Sequence, residues 1–192
     1  MINLPEPKLE SKVSIEEAIL KRRSIRGFTA KALTLEEISQ LLWSAQGITD
    51  KMNKFRSAPS AGARYPMEIY LATNEGFYHY HPSKNAIEQL KSADIRSKLP
   101  AAALGQKNIA DAPLVIVIAG KLDRLSARYG DRASRYMYIE AGHIAQNIHL
   151  QAVSLGLGSV PVCAFNDDLL KTTIDLPDDL KPLYIVPVGY AK

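Results

Sequence analysis

Glu140-Ala141-Gly142-His143-Ile144-Ala145-Gln146-Asn147-Ile148-His149-Leu150-Gln151-Ala152-Val153-Ser154-Leu155-Gly156-Leu157-Gly158 is the stretch on which the fold turns. It belongs to a proline-free segment, from about Ala133 to Leu155, that reads as one long helix stopped by Gly156 or Gly158. Tyr138, Ala141, Ala145, Ile148, Ala152 and Leu155 recur at spacings of three and four on one face, and Ile139, His143, Leu150 and Val153 form a second apolar stripe. A helix that is apolar around most of its circumference is buried. Its small residues, Ala141, Gly142, Ala145 and Ala152, admit a neighbouring backbone closely. In a chain this short the helix is expected at the centre of a dimer or of the monomer's own core.

Two further helices precede it. Ser14 with Glu17 reads as a capping box opening a helix with the apolar stripe Ile15, Ala18 and Ile19. Thr34 with Glu37 opens another, carrying Leu35, Ile38, Leu41, Leu42 and Ala45 and stopped at Gly47. Thr49 to Pro66 has no periodicity and many small residues, so it reads as an ordered or ligand-ordered loop. Strands are expected at Met67–Thr73, Phe77–His81, Leu114–Ala119, Val160–Ala164 and Tyr184–Val188. The third of these is a continuous apolar run of the kind buried on both faces. Short helices are expected after Asp94, where Pro100 interrupts, and near Asp168–Thr173. Interleaved helices and strands give an α/β or α+β class with a mixed sheet.

Composition sets the outer limits. A length of 192 residues makes one domain, 1–192, the default. Hydrophobic residues at 46% and charged residues at 23% fit a globular chain rather than a disordered one. Twenty-four basic against 20 acidic residues leave a net charge of +4, enough for an anionic ligand and too little for a polybasic nucleic-acid binder. The single cysteine, Cys163, excludes an internal disulfide and a cysteine-based zinc cage. The first residues carry Pro5, Pro7 and several charges rather than a signal-peptide core, and no apolar run approaches the ~20 residues of a membrane span. A cytoplasmic, soluble protein is expected.

Three segments carry chemistry. Arg22-Arg23-Ser24-Ile25-Arg26 places three guanidiniums and a hydroxyl where a helix ends. Such planar, always-charged donors suit a phosphate, and they equally suit a solvated helix C-terminus. Pro59-Ser60-Ala61-Gly62-Ala63-Arg64-Tyr65-Pro66 exposes backbone that can approach a planar ligand, or is an ordinary surface loop; it matches neither the Walker A nor the GxGxxG spacing. Gly156-Leu157-Gly158-Ser159-Val160-Pro161-Val162-Cys163-Ala164 ends the long helix and enters a strand whose Pro161 demotes it to an edge or marks a backbone reserved for something else.

Together these segments resemble the nitroreductase superfamily of FMN-dependent oxidoreductases, over nearly the whole chain. Arg22 to Phe28 is similar to the family's phosphate-binding N-terminus, and Glu140–Asn147 running on to Gly158 is similar to its central helix. The Pro-Ser-Ala-Gly loop and Ile185-Val186-Pro187-Val188-Gly189-Tyr190 look most like the branch that includes azoline dehydrogenases of peptide modification. The resemblance implies an α+β fold with a mixed, mostly antiparallel central sheet flanked by helices, and a homodimer with FMN at the subunit interface. Arg22, Arg23, Ser24 and Arg26 would come from one subunit, with Arg22 and Arg26 as direct phosphate ligands. Ser60, Ala61 and Gly62 would approach the flavin from the other. Pro161, Val162, Cys163 and Ala164 would lie along one flavin face, with Gln106 at the pyrimidine edge. The family's basic residue beyond the last strand has only Lys192 to stand for it, beside its own α-carboxylate. NADH or NADPH would be the electron donor and a small molecule the acceptor, with no catalytic side chain beyond the flavin. Arg64 reads as a surface arginine or as a source of positive charge near the flavin's N1.

Other chemistries have less support. His79 and His81 alternate on a strand and could share a face, but no further ligand is evident, so no metal is expected. His143 reads as a packed helix residue and Cys163 as a small buried hydrophobe. Asp167-Asp168 and Asp178-Asp179 read as capping and loop carboxylates. The mixed-sign stretch Lys121–Arg135 reads as a solvated lid or connector. A dehydrogenase of a peptide or heterocycle reoxidised by oxygen, and a flavin-binding protein without turnover, stand as alternatives.

Overall fold

The computed structural model describes residues 1–192. In chain order the elements are β1 (Ile2–Asn3), α1 (Ile15–Lys21), α2 (Leu35–Gln46), β2 (Ile48–Asp50), β3 (Phe55–Arg56), β4 (Met67–Thr73), β5 (Gly76–His81), β6 (Ala86–Lys91), α3 (Leu99–Ala102), α4 (Lys107–Asp111), β7 (Leu114–Gly120), α5 (Asp123–Tyr129), α6 (Ala133–Ser154), β8 (Gly158–Ser159), α7 (Asp167–Ile174) and β9 (Lys181–Gly189). Seven strands form one sheet in the order β1-β6-β5-β4-β7-β9-β8, and every registered strand pair is antiparallel. The one parallel contact is an isolated bridge, Ser24 to Ser159. No helix is long and apolar enough to cross a membrane.

β7 is the spine. Every residue of it is buried, and successive side chains point to opposite faces of the pleat. Leu114, Ile116 and Ile118 enter one core with α2 and α6, while Val115, Val117 and Ala119 enter a second core with α3, α4 and α7. Each such side chain taken from water contributes roughly 1.5–3 kcal/mol before entropy is charged. A continuous apolar run is therefore what a strand between two helical layers requires.

α2 forms where expected, because its capping box is complete. Glu37 N donates to Thr34 Oγ1 at 3.2 Å, and Thr34 N donates to Glu37 Oε2 at 2.8 Å. The box at Ser14 is only half made: Glu17 N reaches Ser14 Oγ, but the Glu17 carboxylate turns to Lys21 instead. Of the α1 stripe only Ala18 is buried, while Ile15 and Ile19 stay more than half exposed. The long helix α6 shows the same one-sidedness. Ala141, Ala145, Ile148 and Ala152 are buried as expected, but Tyr138, Ile139 and His143 face solvent. Within one chain the sheet, α1, α2 and α5 pack on α6 and leave the side of Tyr138, Ile139 and His143 uncovered.

Several local expectations shift. The aperiodic stretch after Gly47 contains the β2–β3 hairpin, whose turn is tied by Asp50 Oδ1 accepting from Met52 N and Asn53 N. Pro100 sits in the first turn of α3 and starts that helix instead of interrupting one. β1 and β6 carry weak sequence signals and form because edge pairing continues the sheet. Lys121–Arg135 is no free connector: Leu125 is fully buried and α5 packs on α6.

Candidate active site

The Arg22–Arg26 segment is annealed to the edge of the sheet. Arg22 caps α1 through its N–H to Ala18 O at 3.0 Å, which turns the chain out of the helix. Ser24 then bridges Ser159, and Ile25 N donates to Ser159 O at 3.0 Å. Gly158 is what allows this contact, since a Cβ there would stand 2.8 Å from Ile25 Cβ. The other flank is closed by Lys192 N donating to Gly27 O at 3.1 Å and by a bridge from Phe28 to Ala191. Residues far apart in sequence, Arg22 to Arg26, Gly158-Ser159 and Lys192, are thereby brought to one corner.

The guanidiniums at that corner differ. Arg23 Nη1 donates to Leu20 O at 3.0 Å and Arg22 O at 2.7 Å, so it closes the open end of α1. Arg22 and Arg26 have no carboxylate partner: none of the chain's ion pairs includes them. Two unneutralised guanidiniums beside a hydroxyl are what an anionic group needs.

His149 lies beneath them. It is buried, its Nδ1 is 2.7 Å from Ser159 Oγ, and its Nε2 has no partner. Burial first, and the charge of Arg22 second, push its pKa down to about 4, so the ring is neutral at pH 7. Sequence periodicity did not single out His149; a histidine on the helix face nearest the glycines was the only signal.

The Pro59–Pro66 loop is built differently. Ala61–Ala63 make a single 3-10 turn, and Gly62, Ala63 and Tyr65 hold φ of 58°, 53° and 46°. At Gly62 a side chain would meet Tyr129 Oη at 2.5 Å. Left-handed backbone costs of order 1 kcal/mol or more at a non-glycine residue, and surrounding hydrogen bonds hold it. Tyr65 N donates to Ser60 Oγ at 2.8 Å, Arg124 Nη1 to Tyr65 O at 2.8 Å, and Arg64 Nε to Arg124 O at 3.1 Å. Arg124 also pairs with Glu68. Arg64 is thus a loop fastener.

Behind this loop lies Glu140, quoted above only as part of the helix motif. It is 2% exposed, and neither carboxylate oxygen has a hydrogen-bond partner. Burial pushes its pKa up to about 7, and the nearby Ser60 hydroxyl, Arg56 guanidinium and Gln46 amide offset that only in part. Arg56 is itself committed to Gln46 Oε1 at 2.8 Å. A lone carboxylate on the buried face of an otherwise apolar helix was the signal that could have found it.

The strand expected at Val160–Ala164 does not form, because Pro161 lacks the N–H to continue the ladder. β8 ends at Ser159, and beyond the proline only Val162 rejoins β9, exchanging bonds of 2.8 and 3.0 Å with Ile185. Val162 is buried, but Cys163 and Ala164 are exposed. Cys163 therefore is not the buried hydrophobe expected, because no layer covers the chain after the edge. The Cys163 thiol, after burial, pushes the pKa of the neighbouring Tyr184 phenol up. Gln106 Nε2 donates to Ala103 O at 3.0 Å and Ala164 O at 3.1 Å, which brings it to this segment and fixes it there.

What one chain does not do is bring Ser60–Gly62 to Arg22–Arg26. The loop leaves the sheet at Met67, paired with Gly120, whereas Ser159 pairs with Val188, itself paired with Leu114 at the far end of β7. Six residues along the strand and three strands across put Met67, where the loop enters the sheet, roughly 25 Å from Ser159.

Sequence and structure comparisons agree on the relationship. The profile of the nitroreductase family matches residues 19–190. A candidate nitroreductase of Methanocaldococcus jannaschii is 41% identical over 189 residues, covering 95% of this chain and 93% of that protein. The crystal structure of a candidate nitroreductase from Ralstonia eutropha superposes with a TM-score of 0.90 at 30% identity, covering 100% of this chain and 89% of the other. More distant are the microcin B17-processing protein McbC of Escherichia coli and the FMN reductase (NADPH) of Bacillus subtilis. The first is 25% identical over 75% of this chain and 57% of its own length. The second is 26% identical over 91% of this chain and 64% of its own length.

Proposed function

This chain belongs to the nitroreductase family of oxidoreductases, and we propose that it is an FMN-dependent enzyme in which two copies jointly hold each flavin. One observation carries the reading: the two residue sets expected to hold one cofactor stand at opposite ends of the sheet in a single chain. A second copy can place the Ser60–Gly62 loop of one subunit against the Arg22–Arg26 corner of the other. The uncovered apolar side chains of α1 and α6, Ile15, Ile19 and Ile139 among them, supply a surface that a partner would bury. Each subunit would be one FMN-binding domain, residues 1–192.

The residues present fit the cofactor. Arg22 and Arg26, free of carboxylates, with the Ser24 hydroxyl, would hold the phosphate; Lys192 stands nearby through Gly27. Arg23, bonded to Leu20 and Arg22 carbonyls, would act on the helix end and contribute field only. Exposed backbone at Cys163 and Ala164, with Gln106 bracing it, would flank the ring on one side, and Ser60 to Gly62 of the other copy on the opposite side. Bound FMN would supply hydride-transfer chemistry between NADH or NADPH and a nitroaromatic, quinone or similar small acceptor in a ping-pong cycle. The protein's part is electrostatic. Neutral His149 adds no charge of its own, so Arg22 and Arg26 supply the positive field at the corner, and fixed donors there need no reorganisation when negative charge builds up.

The test is direct. Purified protein should be dimeric, yellow and release FMN on denaturation; under anaerobic conditions NADH or NADPH should bleach it, and a quinone or nitroaromatic should restore the colour. A colourless monomer that FMN does not reconstitute refutes the proposal. The relation to McbC and the Pro-Ser-Ala-Gly loop favour a second reading, a dehydrogenase of a peptide-derived heterocycle reoxidised by oxygen. Bound flavin that neither nicotinamide bleaches, yet oxygen reoxidises after chemical reduction, would select it. Flavin inert to every donor and acceptor would leave only a binding role.

A further inference from the structure

His79 and His81 have no part in the flavin site. They stand two residues apart on β5, so both rings project from the same face of the sheet. Their sequence neighbourhood shows no third ligand; strand pairing supplies it. Register sets Glu88 of β6 opposite His79, and one ligand atom from each of His79, His81 and Glu88 lies within 4.8 Å of the others. His81 Nε2 and Glu88 Oε2 are 2.9 Å apart. The edge of a tetrahedron with metal–ligand bonds of about 2.0 Å is roughly 3.3 Å, so this pair already has nearly the spacing of two ligands on one ion.

A fourth group stands on the other flank. Glu68 Oε2 of β4 is 2.7 Å from His79 Nε2, and Arg124 grips the same carboxylate. With Nε2 so engaged, Nδ1 is the nitrogen His79 has left. A carboxylate on the distal nitrogen is the arrangement that fixes a ligand imidazole's tautomer and orientation.

We infer that His79, His81 and Glu88 form a three-ligand site for a divalent transition metal of the zinc type, with Glu68 as the outer carboxylate behind His79. Two imidazoles and a carboxylate suit zinc and leave one position for water. The site ties β5 to the penultimate strand β6, and it stands whether or not the chain binds flavin. The chain's other histidines, His143 and His149, both lie on α6 and take no part.

The experiment is calorimetric titration of the full chain, stripped with a chelator and dialysed, with Zn2+. The expected result is one equivalent per chain at pH 7.5, weakened at least about tenfold by His81→Ala and by Glu88→Gln and unaffected by Cys163→Ser. Absence of saturable binding in the wild-type chain overturns the inference, as does undiminished binding when His79 and His81 are both replaced by alanine. Glu88 is exposed, so Glu88→Gln will fold even if the histidine variants do not. Unchanged affinity in that variant would be equally decisive against the site.

Discussion

The two ends of the sheet are both rich in arginine, yet they use it in opposite ways. At the Ser60–Tyr65 end, Arg56, Arg64 and Arg124 are spent inside the protein, on Gln46, on the Arg124 carbonyl, and on Tyr65 O with Glu68. At the Ser159 end, Arg22 is held through its backbone N–H to Ala18 O, and neither Arg22 nor Arg26 meets a carboxylate. A paired guanidinium pins a strained loop; an unpaired one awaits an anion. Charge count alone does not separate the two cases, and partner geometry does.

Substitutions can break that contrast. Replacing Arg22 and Arg26 together by alanine should cost the greatest share of FMN affinity, of order 100-fold or more, since each charged contact is worth about 1.5–3 kcal/mol. Urea-unfolding stability of the flavin-free protein should hardly move. Arg124→Ala should do the reverse, costing about 1–3 kcal/mol of stability by leaving Glu68 and the Tyr65 carbonyl short of a donor. Equal effects of the two substitutions on stability would erase the distinction.

Gly158→Val comes next. Its side chain would collide with Ile25 and lift the Arg22–Arg26 segment off the edge strand, for about 1–3 kcal/mol of overpacking and a measurable rise in the FMN dissociation constant.

The ends also differ in pH response. Glu140, with its pKa raised to about 7, binds its proton more tightly folded than unfolded, so its share of stability is lost as pH rises from the ordinary carboxylate range through 7. His149, lowered to about 4, binds its proton less tightly folded, so its share is lost as pH falls from about 6.5 toward 4. The two slopes oppose each other in overlapping windows. Glu140→Gln should leave stability rising with pH between 4.5 and 6.5, and His149→Gln should leave it falling with pH up to about 7, in urea titrations across that range. Parallel curves for the two variants would contradict the assignment. The smallest effect belongs to Arg23→Ala, below about 1 kcal/mol in stability and less than about threefold in FMN affinity, because Arg23 faces its own helix end. A loss matching that of Arg22→Ala would place Arg23 among the phosphate ligands.

Much of the fold was legible because its signals are local. β4 matches its expected bounds, α2 carries a complete capping box, and β7's uninterrupted apolar run announces a strand buried on both faces. The family resemblance was legible for a related reason: the Arg22–Phe28 and Glu140–Gly158 segments are each contiguous. Failures cluster where local signals compete with distant partners. Ile15 and Ile19 have a core-like pattern with no core above them, Cys163 is small and apolar with no layer to cover it, and β1 and β6 exist because β5 offers an open edge.

From the amino-acid sequence alone come α1, α2, α6, the spine strand and the family, since periodicity and caps act over a turn or two of chain. Tertiary structure alone decided that Ser24 joins Ser159, that Ser60 stands far from both, that Glu140 and His149 are buried, and that Glu88 completes a cluster with His79 and His81. These facts depend on strand register and layer packing between residues dozens of positions apart, and a contact of that kind leaves no period in the chain to read.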